Sequence, residues 1–301
     1  MLNEQLRRPP LALPGVPVTY VALTLLLAWS FQAAAISSGL DMMHLDEAPP
    51  TLWLLLIGMS FSPALAGVAT QLLHHRSLRG MGWRIRSWRH LGLGVLAAFG
   101  IVTAGQLLAL ALGATTFDAT VATGHAAAFL GGSWAPGWFL VPLYALLASL
   151  AYTLPMALFA VGEELGWSGV LIPSLARRFP YPVTCLVYGA VWCSFHLPLV
   201  LFAHYGLDMP LWYAVPGTLV SMVLMAFPVA WLRLRSGSVW PGVVFHGMLN
   251  AAGFYVYTEV FQPGSSASGV LVRGEGGLAA IAVCVVVASL LVRRSGRGAL
   301  L

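Results

Sequence analysis

Long apolar runs, separated by short polar segments, extend over nearly the whole chain. Of its 301 residues, 59% are hydrophobic and 8% are charged, whereas a soluble domain carries about 25% charged residues. Runs of about 20 apolar residues are long enough to cross a bilayer as α-helices. They are too long and too uniform for the alternating strands of a membrane barrel. The sequence therefore predicts an all-α, polytopic transmembrane helical bundle that forms a single integral membrane domain over residues 1–301.

We predict about eight spans from these runs. An entry section from residue 139 precedes the fourth span, and residues 115–137 are predicted to be a loop. The first run resembles a signal peptide, but its apolar part exceeds the usual core of about 7–15 residues, which favours a retained helix. The predicted spans are residues 18–39, 52–73, 91–114, about 152–175, 183–203, 212–232, 239–258 and 278–292.

The distribution of charge predicts the orientation of these spans. With both termini in the cytoplasm, eight crossings place every arginine except Arg273 on the cytoplasmic side, where basic residues concentrate. The basic segment 74–90 is interleaved with tryptophan, which indicates a segment lying on anionic headgroups rather than an RNA-binding surface. We therefore expect a bacterial plasma-membrane protein without a nucleic-acid partner. The acidic residues expected on the outer side are Asp41, Asp46, Glu47, Asp118, Asp208, Glu259 and Glu275.

Two adjacent carboxylates, Glu163 and Glu164, interrupt the apolar run of the fourth span. No other charged residue lies between positions 139 and 176. An ionisable group at the centre of a bilayer costs at least about 2.5 kcal/mol and is a functional-site hypothesis by default. The alternative is a helix end at the headgroups, but Trp167 and more apolar residues follow at once. We expect the pair to lie inside the membrane.

Polar residues also occur within the fifth and seventh spans. The fifth span contains His196, and the seventh contains His246 and Asn250, which are four residues apart and so share one helix face. At ~1.5 Å per residue, Glu164, His196 and His246 all lie about 20 Å from the nearest cytoplasmic boundary. We therefore predict one buried polar site between spans four, five and seven.

These side chains are suited to the hydrolysis of an amide bond. A carboxylate and a histidine that share a water molecule can remove its proton, and a histidine with an asparagine can donate hydrogen bonds to an oxyanion. A structural alternative is that the same groups only form hydrogen bonds between helices. A third interpretation is a transporter in which the Glu pair relays protons, but the chain shows no internal repeat to support it.

The three polar motifs resemble those of the CPBP family, which comprises type II CAAX prenyl endoproteases and bacterial relatives linked to bacteriocin processing or immunity. The family pattern is Glu-Glu-x-x-x-Arg, then Phe-x-x-x-His, then His-x-x-x-Asn/Asp on successive helices. Here the motifs read Glu163 to Ser168, Trp192 to His196 and His246 to Asn250. The resemblance covers about residues 139–258, the family-like catalytic core. Ser168 replaces the family arginine and Trp192 replaces the phenylalanine.

The resemblance implies a role for each matching residue. Glu163 and His196 would activate water, Glu164 would support them, and His246 and Asn250 would form the oxyanion hole. The family has also been regarded as metalloproteases, and Glu163, His196 and His246 would then be zinc ligands, since His₂Glu is a known catalytic set. We favour a mechanism without a metal or other cofactor, because asparagine is a poor zinc ligand but a good oxyanion donor.

The sequence therefore predicts an intramembrane endopeptidase. Its partners would be the lipid bilayer and a peptide or protein substrate that is membrane-associated or lipid-modified. The alternative is a non-catalytic membrane immunity or scaffold protein that retains the fold, and Ser168 is the feature that favours this alternative.

Overall fold

The computed structural model describes residues 15–132, 138–205 and 209–295, and it is a bundle of long helices. Arg7, Arg8, Asp208 and Arg297, which entered the charge count above, lie outside the described residues. The long helices are α1 (Gly15–Ser37), α2 (Pro50–His75), α3 (Trp88–Ala111), α5 (Val141–Gly166), α7 (Tyr181–Phe202), α8 (Leu211–Ser236) and α11 (Leu278–Ser295). The shorter ones are α4 (Ala119–Leu130), α6 (Ile172–Ala176), α9 (Trp240–Asn250) and α10 (Tyr257–Val260).

The predicted all-α polytopic bundle is confirmed. Within the described ranges, seven helices are long and apolar enough to cross a membrane. The seventh predicted span is a helix in three parts, because a π-helical segment, Ala251–Val256, joins α9 to α10. The three parts run without a break from residue 240 to residue 260. At ~1.5 Å per residue such a helix is about 30 Å long, the thickness of the hydrocarbon core.

The middle of the chain differs from the sequence prediction in two ways. The predicted entry section and the fourth span form one apolar helix of 36 residues, which runs from Val141 to Ala176. Pro155 lies within this helix without ending it. Residues 115–137 are not simply a loop, because they contain a short strand and α4. Asp118 caps α4 by accepting hydrogen bonds from the backbone N–H groups of Thr120 and Val121, a strong helix-start signal.

Glycines let the helices of the core approach closely. A Cβ atom on Gly166 of α5 would lie 2.5 Å from the carbonyl oxygen of Pro63 in α2 and would also meet Tyr20 of α1. A Cβ on Gly247 of α9 would lie 3.2 Å from the backbone of Ala157 in α5. Small residues at such crossings allow van der Waals packing between backbones in a membrane. The two close approaches fix α2 and α9 on opposite sides of the helix that carries the Glu pair.

A small sheet and polar contacts organise one end of the bundle. Strands β1 (Thr115–Phe117) and β2 (Phe261–Pro263) pair antiparallel, with Phe117 opposite Phe261. At the same end, Asp41 accepts hydrogen bonds from His44 and His204. The backbone N–H of Met43 also donates to Asp41, and this bond together with the two histidine bonds holds the pKa of Asp41 down to about 2. The contact with His204 anchors the turn after α7 that carries Tyr205.

We expect Gly166→Ala to destabilise the folded protein, because the added methyl group meets backbone atoms that cannot move aside. Overpacking of this kind costs about 1–3 kcal/mol. Gly92→Ala in α3 is the matched control, since nothing lies within 4 Å of its Cβ position. Thermal unfolding of both variants in detergent measures the difference. Equal midpoints for Gly166→Ala and Gly92→Ala would contradict the close packing of α5 on α2.

Candidate active site

Both helices that carry paired polar residues change to π-helical geometry just after them. Glu163 and Glu164 occupy the last turn of α5, and the π-helical segment Trp167–Leu171 follows. Asn250 is the last residue of α9, directly before the second π-helical segment. Insertions of this kind occur frequently at functional sites because they re-aim the side chains beside them. Neither segment was predicted from the sequence.

Two indole N–H groups hold the carboxylate of Glu163. Its Oε2 atom accepts hydrogen bonds from Nε1 of Trp167 and Nε1 of Trp192, each at 3.3 Å. Trp167 lies one turn further along the same helix, whereas Trp192 comes from α7. Glu163 is only 4% exposed, so these two donors replace the water that the carboxylate has lost. A phenylalanine at position 192 could not donate, so the departure from the family pattern adds a contact to this site.

Glu164 is completely buried and contacts a different helix. Its Oε2 atom accepts a hydrogen bond from the hydroxyl of Ser168. Its Oε1 atom lies 3.4 Å from Nδ1 of His246 in α9, close enough for an ion pair when the imidazole is protonated. A Cβ on Gly242 would lie 2.7 Å from Oε2. Glu164 therefore fills the gap between α5 and α9 and orients His246.

His196 is held so that one ring nitrogen stays available. Its Nδ1 atom lies 3.2 Å from the backbone carbonyl of Trp192, to which it donates. The neutral imidazole then has an unprotonated Nε2 that can act as a base. The ring is 5% exposed and packs against Phe195 and Tyr205, with centroids 4.8 Å and 4.9 Å away. Glu163 lies within electrostatic range of both His196 and His246.

Asn250 lies one helical turn after His246, at the edge of the site. It is half-buried, and its amide makes no hydrogen bond to any part of the chain that the structure describes. The structure thus brings Glu163, Glu164, His196 and His246 into one closed centre between α5, α7 and α9. Among the described contacts, none joins the side chain of Asn250 to these four residues.

Arg233 is one residue whose place the sequence did not reveal. Its position near the end of α8 suggested an ordinary cytoplasmic arginine, yet it is 7% exposed. Its guanidinium donates to the backbone carbonyls of Ser168 and Gly80. It therefore ties the π-helical segment after the Glu pair to the 76–82 connection. The only signal in the sequence was the spacing of Arg233 and Arg235, because residues two positions apart lie on different faces of a helix.

Glu275 is a second such residue. The sequence placed it among outer acidic residues, but its Oε1 atom is buried and has no hydrogen-bond partner among the described residues. It lies within electrostatic range of His246 and of Tyr205, the residue that packs on His196. A third carboxylate therefore faces the centre from the connection between β2 and α11. No sequence motif includes it.

The zinc hypothesis requires Glu163, His196 and His246 to converge on one point. Among the residues that the structure describes, no three His, Cys, Asp or Glu side chains are placed to hold a metal ion. Oε2 of Glu163 is directed at two indoles instead. The donor set present does not fit a zinc ion in this arrangement.

The fold and the site define an integral membrane helical bundle with ionisable groups sealed in its centre. The sequence of this bundle matches the model of a protease family, Type II CAAX prenyl endopeptidase Rce1-like, over residues 145–252. CAAX prenyl protease 2 of Methanococcus maripaludis is 26% identical over 100 residues, which make up 32% of this chain and 36% of the relative. The chain thus matches about a third of the length of that relative. The resemblance read from the three motifs is confirmed, and the matched segment contains all five predicted site residues.

Proposed function

We propose that this protein is an intramembrane endopeptidase that hydrolyses a peptide bond with a glutamate-activated water. The observation that carries the proposal is the setting of Glu163. Its carboxylate is buried, is fixed by two indole donors and lies within electrostatic range of His196, whose Nδ1 bonds a backbone carbonyl and leaves Nε2 available. A carboxylate kept this dry and this rigid costs free energy that packing alone does not require. The match to a CAAX-type protease family supports the same activity.

In the proposed reaction, Glu163 and His196 hold a water molecule and take its proton as the oxygen attacks the carbonyl carbon. The tetrahedral oxyanion accepts hydrogen bonds from His246 and from the Asn250 amide, which has no other partner in the described structure. When the carbon–nitrogen bond breaks, the proton passes to the leaving amine. Glu164 keeps His246 oriented throughout. General-base catalysis and one oxyanion donor each contribute about 10²-fold or more.

The substrate is proposed to be a membrane-associated or lipid-modified peptide or protein. Because Glu163, His196 and His246 are at most 5% exposed, helices must separate before a substrate can enter, and such opening often limits enzyme turnover. The second candidate is a non-catalytic immunity or scaffold protein. The Ser168–Glu164 contact favours it, because the family arginine is absent while the buried centre remains packed.

We expect Glu163→Gln to reduce proteolysis by about 10²-fold or more, because it preserves the side-chain volume and removes the base. Asn250→Ala should cost about 10²-fold through loss of an oxyanion donor. Glu259→Gln is the matched control, since that carboxylate lies near the small sheet and pairs with Tyr144 and His125. The measurement is a proteomic comparison of membranes from cells that carry each variant. Identical peptides for wild type and Glu163→Gln would favour the scaffold.

We expect the purified protein to contain no stoichiometric zinc and to keep its activity in the presence of chelators. The physical reason is that Oε2 of Glu163 already accepts two indole hydrogen bonds, and no three ligating side chains of the described residues are placed to hold a metal ion. Elemental analysis is the measurement, with His196→Ala and His246→Ala as comparison variants. About one zinc per chain in wild type, lost in both variants, would replace the glutamate mechanism with a metal mechanism.

Both termini are proposed to face the cytoplasm, on the basis of the arginine distribution. Reporter fusions after Arg89 and after Gly124 should then give opposite signals, because α3 lies between them. Equal signals would mean that α3 does not cross the membrane and that all later spans have the opposite orientation.

A further inference from the structure

The connection between β2 and α11 folds back onto the candidate active site and brings Glu275 with it. Glycine precedes Glu275 and two glycines follow it, and Gly274 has a φ of 80° that favours glycine. A Cβ atom on Gly253 would lie 3.2 Å from Oε1 of Glu275. The carboxylate therefore rests on the π-helical segment that begins directly after Asn250. Glu275 lies beyond the segment that the protease family model matches.

Glu275 separates two cavities. The larger one has a volume of about 60 Å³ and is lined by Tyr205, Thr218, Ser221, Phe254, Thr258 and Glu275. The smaller one has a volume of about 40 Å³ and lies toward α3, where the side-chain oxygen of Gln106 also has no partner within the described chain. Neither cavity has a lysine, arginine or histidine in its lining. Either cavity is large enough for a few water molecules or a small cationic group.

The larger cavity adjoins the catalytic histidine. Tyr205 lines this cavity, and the Tyr205 ring also packs on His196 at 4.9 Å between centroids. Phe254 also lines it, 6.3 Å from the Tyr205 ring. A group in the cavity would lie one aromatic ring away from His196. A peptide held across the centre could therefore extend a side chain or a terminal amine to Glu275.

The Oε1 atom of Glu275 is buried and accepts no hydrogen bond from the described residues. A buried acceptor without a donor is rare in native proteins and requires an explanation. Burial raises the pKa of Glu275 to about 7, and His246 acts in the opposite direction. Within the described residues, Glu275 also acts electrostatically on Tyr205 and Cys284, neither of which is cationic. A positively charged group in the cavity would supply the missing donor through charge-assisted hydrogen bonds.

We propose that this cavity is a subsite for a cationic group of the substrate, an arginine or lysine side chain or a free amine, with Glu275 as its specificity-determining counter-charge. The inference rests on the proposed peptidase function. A site built around a charge rejects an analogue that lacks the complementary donor, because the buried group is then left unpaired. Glu275 therefore determines which peptides are cleaved, and it takes no part in activating the water.

The first test compares cleavage of a proteome-derived peptide library by wild type and Glu275→Gln, with Glu259→Gln as control. We expect wild-type cleavage sites to be enriched in arginine or lysine at one position. Replacing that arginine by citrulline, its neutral analogue, should lower kcat/KM by about 10-fold, which corresponds to ~1.4 kcal/mol. In Glu275→Gln the kcat/KM values for the arginine and citrulline peptides should differ by no more than about twofold. The citrulline peptide should be cleaved by Glu275→Gln as fast as the wild type cleaves it. No basic enrichment, or an equal loss on both peptides, would overturn the subsite.

The second test does not depend on catalysis. Dicyclohexylcarbodiimide modifies buried protonated carboxyl groups, and mass spectrometry of the inactive Glu163→Gln protein reports the modification of Glu275. Butylguanidinium should protect Glu275, and uncharged butylurea should not. If butylguanidinium protects Glu275 but the wild-type protein cleaves no peptide, the cation site stands and the proposed peptidase function is overturned. Cleavage that shows no basic preference, together with equal labelling under both probes, would retain the peptidase and overturn the subsite.

Discussion

Two neighbouring carboxylates in an apolar bundle impose the constraint on which the rest of this structure depends. Removing a charge from water costs several kcal/mol unless protein donors replace the lost hydration. For Glu163 and Glu164 those donors are two indoles and a hydroxyl, and the imidazole of His246 lies 3.4 Å from Glu164. Trp167 and Ser168 come from the next turn of the same helix, Trp192 comes from α7 and His246 comes from α9. The Glu pair thus links α5, α7 and α9 through buried polar contacts.

Such a centre forms only if the helices come close enough for short side chains to meet. Gly242 faces Glu164, where a methyl group would lie 2.7 Å from a carboxylate oxygen. Gly166 and Gly247 bring α2 and α9 against the same helix. Since helices in a membrane gain little from hydrophobic association, close packing and polar contacts must supply the specificity of assembly. The polar centre therefore depends on these glycines, because they allow the close packing that its contacts need.

Several features of the fold and the site could be predicted from the sequence because they depend on local pattern. The length of the apolar runs predicted the spans, and the positions of Glu164, His196 and His246 along their spans predicted that they share one level of the bundle. The centre itself was not predictable in detail. Whether Trp192 faces Glu163, or Arg233 turns inward, depends on how each helix is rotated about its axis. A helix that is apolar on every face carries no sequence signal for that rotation. Glu275 was not predicted to face the centre, because a connection between helices normally remains at the surface, whereas this one folds inward.

The exchange of arginine for serine at position 168 has a consequence that follows from the contacts around it. An arginine at this position would add a fixed positive charge beside Glu164. The hydroxyl of Ser168 instead donates one uncharged hydrogen bond to Oε2 of Glu164. Arg233 meanwhile donates to the backbone carbonyl of Ser168 and holds the residue from α8. The side chain of Ser168 thus contacts Glu164 while Arg233 anchors the backbone of Ser168, so the positive charge at this turn comes from α8 and not from the motif itself.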